Sequence, residues 1–254
     1  MGARRNRWRA TCGGIMEPEG AFDVIVFGPH PDDVEMGIAG TVILLAEAGK
    51  RVLNVSLTRG EAGTFGTPEV RRAEFAEANR VMGSEGLMLD FPDTGVVNDP
   101  AGRLKIARIV RMHRPNVVLA PYHTNRFGHL DGTANVDHPA TGAVVRDGLK
   151  MARFRSQLPE LPPHEVPYLY YYMVPKDVLP TMIVDVSPVI ERARAAIRAY
   201  GTQMAIHKRE NAVFELLDTV RRYHGIRIGK AFGEAVYSDE SLAFGVREVF
   251  GPRP

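Results

Sequence analysis

The run FDVIVFGPHPDDVE, Phe22 to Glu35, begins as an apolar, β-branched segment and turns abruptly polar after Gly28. Such a run reads as a buried strand over Phe22–Gly28, left through a tight, carboxylate-rich loop. The next stretch, Glu35–Ala48, is dense in Ala, Leu, Ile and Gly and is closed by Gly49, the residue type that ends helices. Arg51–Leu57 then reads as a second strand. Strand, helix and strand within about 35 residues form a βαβ unit, which implies parallel strands and a right-handed crossover.

The alternation continues away from this unit. A helix is predicted over Thr67–Met82, with Pro68 near its start and Gly83 after its end. A short strand follows at Gly86–Asp90, a helix at Leu104–His113 and a buried strand at Asn116–Pro121. Residues 122–137 read as a long polar loop and Pro139–Ala152 as the next helix. The C-terminal third is less regular. Tyr168–Met173 and Thr181–Val186 look like strands, Ser187–Met204 like one amphipathic helix and Arg209–Tyr223 like another. The pattern predicts one doubly wound, Rossmann-like α/β domain over residues 21–254, with a mostly parallel sheet and a C-terminal extension. Residues 1–20 stand apart. Arg4, Arg5, Arg7 and Arg9 lack the apolar core of a signal peptide, so this segment is expected to be a disordered extension, with Met16 a candidate start.

Composition narrows the function classes. With 44% hydrophobic residues among 254, the chain can bury a sizeable core. A formal net charge of +2 calls for neither nucleic acid nor an anionic membrane as partner. No apolar run approaches the ~20 residues needed for a membrane span. Cys12 is the single cysteine, so no disulfide forms within the chain and any metal must be held by His and carboxylates. A reducing, cytoplasmic location is expected.

In open parallel sheets, ligands bind at the loops leaving the carboxyl ends of strands. Two such loops carry dense titratable clusters. His30, Asp32, Asp33 and Glu35 follow the first strand, while His123, His129, Asp131, Asp137 and His138 follow the strand ending at Pro121. Adjacent carboxylates such as Asp32 and Asp33 repel unless a cation lies nearby or one is protonated. One can ligate a metal while its neighbour faces the remaining coordination position. His30 and Asp33 could bind an ion together, and a distant His would complete the three-ligand pattern of catalytic zinc. A free carboxylate beside such a site can shuttle a proton to a leaving amine, which suits amide hydrolysis. Other readings stand beside this one. Asp33 could simply cap the following helix. Glu35 reads as a dipole-stabilising or supporting residue, His113 and His164 as surface residues, and His207 and His224 as packed or solvated.

The segments VIVFGPHPDDVEMGIAGTVILLAEAGKRV, LTRGEAGTFGTPEVRRAEFAEANRVMG and VDHPATG resemble the GlcNAc-phosphatidylinositol/LmbE-like de-N-acetylase family from residue 22 onward. The C-terminal stretch VPYLYYYM…IVDVSPVIERARAAIRAYGTQ is most similar to the deacetylases of bacillithiol biosynthesis, which act on N-acetylglucosaminyl malate. The resemblance implies a Rossmann-like fold and Zn2+ held by His30, Asp33 and His138, with Fe2+ an alternative such ligands accept. It implies Asp32 as general base, Arg71 as a contact to an acidic part of the substrate, and Asp137 as the residue orienting a metal ligand. It also implies a small amino-sugar conjugate as substrate and a homo-oligomeric protein. One departure is notable. The family reads HPDH where this chain reads Asn135-Val136-Asp137-His138. Asn135 can still donate a hydrogen bond to a developing oxyanion, but without charge, and His129 or Arg126 in the preceding loop could supply that charge. The competing expectations are the same chemistry on another amide, such as a thiol conjugate, a member that has lost catalysis, or a non-catalytic nucleotide-binding protein. The first loop argues against the last, having no GxGxxG and presenting carboxylates where phosphate needs amides.

Overall fold

The computed structural model describes residues 8–10, 16–18, 20–124, 135–205 and 212–242. At the N-terminus β1 (Trp8–Ala10) pairs antiparallel with β2 (Met16–Pro18), a short ribbon inside the segment read as structureless. The main sheet holds β3 (Val24–Gly28), β4 (Val52–Ser56), β5 (Glu85–Met88), β6 (Val117–Pro121) and β7 (Tyr168–Tyr172), all parallel, in the order β5-β4-β3-β6-β7. The doubly wound reading holds. Strand order reverses at β3, whose neighbours β4 and β6 lie on opposite sides, so the crevice beyond the carboxyl ends of β3 and β6 is the switch point where ligands bind.

Strand side chains alternate between two apolar layers. Ile25, Phe27, Leu53 and Val55 face Ile106, Val110, Val144 and Val145 from α3 (Pro100–His113) and α4 (Asp137–Ala152). Val24, Val26 and Val52 face Ile38, Val42 and Ile43 of α1 (Asp33–Glu47). Helix α2 (Pro68–Met82) begins as the sequence predicts, with Thr67 accepting from the Val70 amide, and ends on Gly83 at φ 81°. Helix α3 starts four residues before the predicted Leu104, because Asp99 caps it and Pro100 occupies its first turn.

The C-terminal third departs most from expectation. The single helix predicted over Ser187–Met204 is a 3-10 turn (Ser187–Val189), α5 (Ile190–Arg198) and α6 (Gly201–Met204). The chain breaks at the fully buried Tyr200, and the Glu74 carboxylate accepts from the Thr202 amide and hydroxyl in the first turn of α6. Tertiary packing thus overrides helical periodicity. Helix α7 spans Ala212–Arg227. It is followed by β9 (Gly233–Val236), which pairs antiparallel with β8 (Met182–Asp185) in a separate small sheet. No strand was expected at β9, since GEAV lacks both an apolar run and clean alternation. Among the described residues no helix is long and apolar enough to cross a membrane.

Candidate metal centre

The turn Pro29–Asp32 joins β3 to α1 so tightly that Asp32 adopts φ 135°, a region L-residues rarely occupy. Strain of this kind costs about 1–3 kcal/mol and persists only where surrounding contacts over-determine it. Those contacts are present. Arg71 donates to the Pro31 carbonyl (2.5 Å) and to Asp32 Oδ2 (3.4 Å), and the Met36 amide donates to the Asp32 carbonyl (2.9 Å). Neighbouring Asp32 and Asp33 therefore have different partners, Asp32 meeting Arg71 and Asp33 meeting two imidazoles. Asp33 is the first residue of α1, and its Oδ2 accepts from the His30 amide (2.9 Å) in the preceding turn. Its Oδ2 lies 3.0 Å from His30 Nδ1 and its Oδ1 lies 3.2 Å from His138 Nε2.

These three donors lie within 4.8 Å of one another. A tetrahedral ion with metal–ligand distances of about 2.0–2.1 Å needs ligand atoms about 3.3 Å apart, and the 3.0 and 3.2 Å separations of the Asp33 oxygens from the two rings are close to that, so the set could hold a small divalent cation. Its electrostatics agree. Burial alone would lower the basicity of His30, but the hydrogen bond and charge of Asp33, with the charges of Asp93 and Asp32, push its pKa up to about 10. Burial would raise Asp33, yet the charge and hydrogen bond of His138 and the contact with His30 hold it far below the usual carboxylate range. Burial and the charge of Asp33 push Asp32 well upward, against Arg71 and His30. So many carboxylates around two imidazoles demand a positive charge, either protons on the rings or a bound cation.

The far side of His30 is held as firmly as the near side. Its Nε2 lies 3.1 Å from Asp137 Oδ2 and 3.1 Å from Asp93 Oδ1. Fully buried Asp137 also accepts from the Thr94 amide (2.7 Å) and the Val96 amide (3.1 Å). Asp93 is kept in place by the Ala62 amide on Oδ2 (2.8 Å), while its own amide donates to Glu61 (2.9 Å). The sequence reading missed Asp93. The available signal was its position past the carboxyl end of β5 in a PDTG turn, but that loop carries no histidine to mark it as part of a metal site.

The other expected residues divide. Glu35 is buried behind the donor set, accepts from Asn54 Nδ2 (3.0 Å) and has its pKa pushed up to about 7 by burial. Arg71, expected to meet an acidic group of the substrate, is 2% exposed; its Nη2 donates to Pro31 and Asp32, while its Nε is buried without a partner. Asn135 is exposed at the start of α4, where its side-chain oxygen accepts from the Asp137 amide (3.0 Å). Arg126, His129, Asp131 and His207 lie outside the described residues. His123 Nε2 lies 3.0 Å from Asp239 Oδ2. His113, expected at the surface, is instead buried, with Nδ1 3.0 Å from the Gly20 carbonyl and its ring edge-on to Phe22.

A His–Asp–His cluster that could hold a metal ion, with a further carboxylate beside it, lies at the switch point of a parallel sheet, where α/β hydrolytic sites are built. Comparison with known proteins agrees. The model of the PIG-L family, GlcNAc-PI de-N-acetylase, matches residues 25–149. The chain is 29% identical over 231 residues to a diacetylchitobiose deacetylase of Thermococcus kodakarensis, covering 84% of this chain and 81% of that protein. It is 29% identical over 139 residues to a probable N-acetyl-alpha-D-glucosaminyl L-malate deacetylase 2 of Bacillus anthracis, covering 50% of this chain and 58% of that protein. The crystal structure of a conserved protein from Thermus thermophilus superposes with a TM-score of 0.79 at 34% identity, covering 88% of this chain and 97% of that one. The chain belongs to the PIG-L family of deacetylases.

Proposed function

We propose that the protein hydrolyses the acetamide of an N-acetylglucosamine conjugate, with N-acetylglucosaminyl malate as substrate and a zinc ion held by His30, Asp33 and His138. The observation that carries this reading is the convergence of those three donors, with the carboxylate of the adjacent Asp32 left outside the set and held by Arg71. A zinc ion there supplies Lewis acidity toward the acetyl carbonyl and toward water. Asp32 is the general base. Burial and the charge of Asp33 raise its proton affinity, which suits a group that takes a proton from water and returns it to the leaving amine. Arg71 holds Asp32 in its strained conformation. Asp137 and Asp93 fix the ring of His30, the usual task of carboxylates behind a ligating imidazole. Asn135 takes the place of the first histidine of the family's HPDH, and its amide donates where the acetyl oxygen gains charge. Arg126 or His129 supplies the positive charge that Asn135 lacks.

The second reading keeps the chemistry and changes the sugar. The Thermococcus relative is a diacetylchitobiose deacetylase and matches over more of both chains than the Bacillus anthracis protein does. The deciding experiment measures acetate release by the zinc-loaded protein from N-acetylglucosaminyl malate and from diacetylchitobiose, alongside Asp32→Ala. Release from the malate conjugate that collapses in the variant supports the proposal. Release from diacetylchitobiose alone moves the substrate. No release from either, with zinc bound, overturns it.

A further inference from the structure

Helix α1, which carries Asp33, is not continuous. Ile38 sits at φ −152° and ψ 23°, and the helix restarts beyond it. A break inside a buried helix leaves amides unpaired on the new N-terminal side and carbonyls unpaired on the old C-terminal side. Isoleucine offers no capping oxygen, and this break lies one turn after the candidate ligand. Two side chains from the C-terminal extension close it. Glu234 of β9 accepts from the Gly40 amide (3.0 Å), the Thr41 amide (2.8 Å) and the Thr41 hydroxyl (2.8 Å). Arg221 of α7 donates to the carbonyls of Met36 (3.0 Å) and Glu35 (3.4 Å). The two meet each other at 3.3 Å, with side chains 4% and 1% exposed. Gly40 is required for this fit, since a Cβ there would lie 2.6 Å from Val186 and 3.1 Å from Glu234 Oε1.

We propose that Arg221 and Glu234 are positioning residues for the metal centre: they hold the single turn Asp33–Gly37 in the orientation that aims Asp33 at His30 and His138. The inference rests on the proposed zinc site. A chain of hydrogen bonds carries it, from Arg221 to the Met36 carbonyl and from the Met36 amide to the Asp32 carbonyl. An uninterrupted helix would need no such pair. The break therefore makes ligand geometry depend on residues about 190 positions away in sequence.

The test is the zinc dissociation constant of the full-length chain, measured by chelator competition for the parent, Glu234→Gln, Arg221→Lys and Val213→Ala. Val213 is a buried residue of α7 remote in role from the break, so its variant reports simple loosening of the extension. Thermal midpoints are recorded in the metal-free state. Glu234→Gln should bind zinc about tenfold more weakly, as expected when a supporting partner is lost. Val213→Ala should be destabilised yet keep the parent constant. Should Glu234→Gln fail to fold, Arg221→Lys and Thr41→Ala give the same reading through milder changes. Variant constants within twofold of the parent, with midpoints lowered as in Val213→Ala, overturn the positioning role and leave the deacetylase reading intact. A parent that binds no zinc overturns that reading instead, and the inference with it.

Discussion

Asp137→Asn tests the architecture of the centre most directly. The carboxylate is fully buried and receives three donors, the Thr94 amide and His30 Nε2 on one oxygen and the Val96 amide on the other. Asparagine preserves the volume but has one acceptor oxygen, so its NH2 must face an N–H. If that partner is Val96, one buried amide is left unsatisfied at about 1–3 kcal/mol. The two remaining bonds change from charge-assisted to neutral, at roughly 1 kcal/mol each. Removing a buried charge returns part of this through lower desolvation. A net loss of about 3 kcal/mol corresponds to a fall of about 6–12 °C in the thermal midpoint of a chain this size. Without its carboxylate partner the His30 ring is also less fixed, and zinc should bind about 10–100-fold more weakly. Differential scanning calorimetry of the metal-free protein and chelator competition read the two effects separately. A midpoint within 2 °C of the parent together with unchanged zinc affinity would refute the reasoning, because it would mean that the three bonds neither stabilise the turn nor orient the ring.

Two further outcomes are expected. In Gly142→Ala the new Cβ would lie 2.3 Å from the Pro121 carbonyl oxygen and 2.7 Å from His123 Cα, both backbone atoms. Helix α4 must then shift away from β6, costing about 1–3 kcal/mol and weakening zinc binding through His138 one turn earlier; a crystal structure with α4 unmoved would contradict this. Asp185 has its pKa lowered: burial opposes this, but the Ser187 hydroxyl and amide and Lys230 outweigh it. A depressed carboxyl contributes stability above its ordinary pKa of 3.8, lost as pH falls through the folded value. Asp185→Asn should therefore flatten the acid limb of a midpoint-versus-pH curve below about pH 4, and identical curves would remove Asp185 from that limb.

The parallel core was legible because its strands are short, continuous apolar runs and its helices carry local signals such as Pro68, Gly83 and Gly49. Topology then brought His30, Asp33 and His138 together from loops about 100 residues apart, and resemblance assigned their roles. Local sequence settled less wherever a distant contact outweighed a local preference. Tyr200 breaks a stretch with helical periodicity because its ring is buried and Glu74 caps the restart. Arg71 is an unremarkable charge on a helical pattern until the Pro31 carbonyl and Asp32 are seen to occupy it. Asp93 gains meaning only when the PDTG turn is folded against His30. The break in α1 is invisible in MGIAGT, since nothing in those residues requires the carboxylate of Glu234 or the guanidinium of Arg221. Short-range periodicity and turn chemistry thus determined which elements exist and at which end of the sheet the donors gather. The tertiary structure alone decided which carboxylate faces which imidazole, because that depends on buried hydrogen bonds between segments whose meeting no local preference encodes.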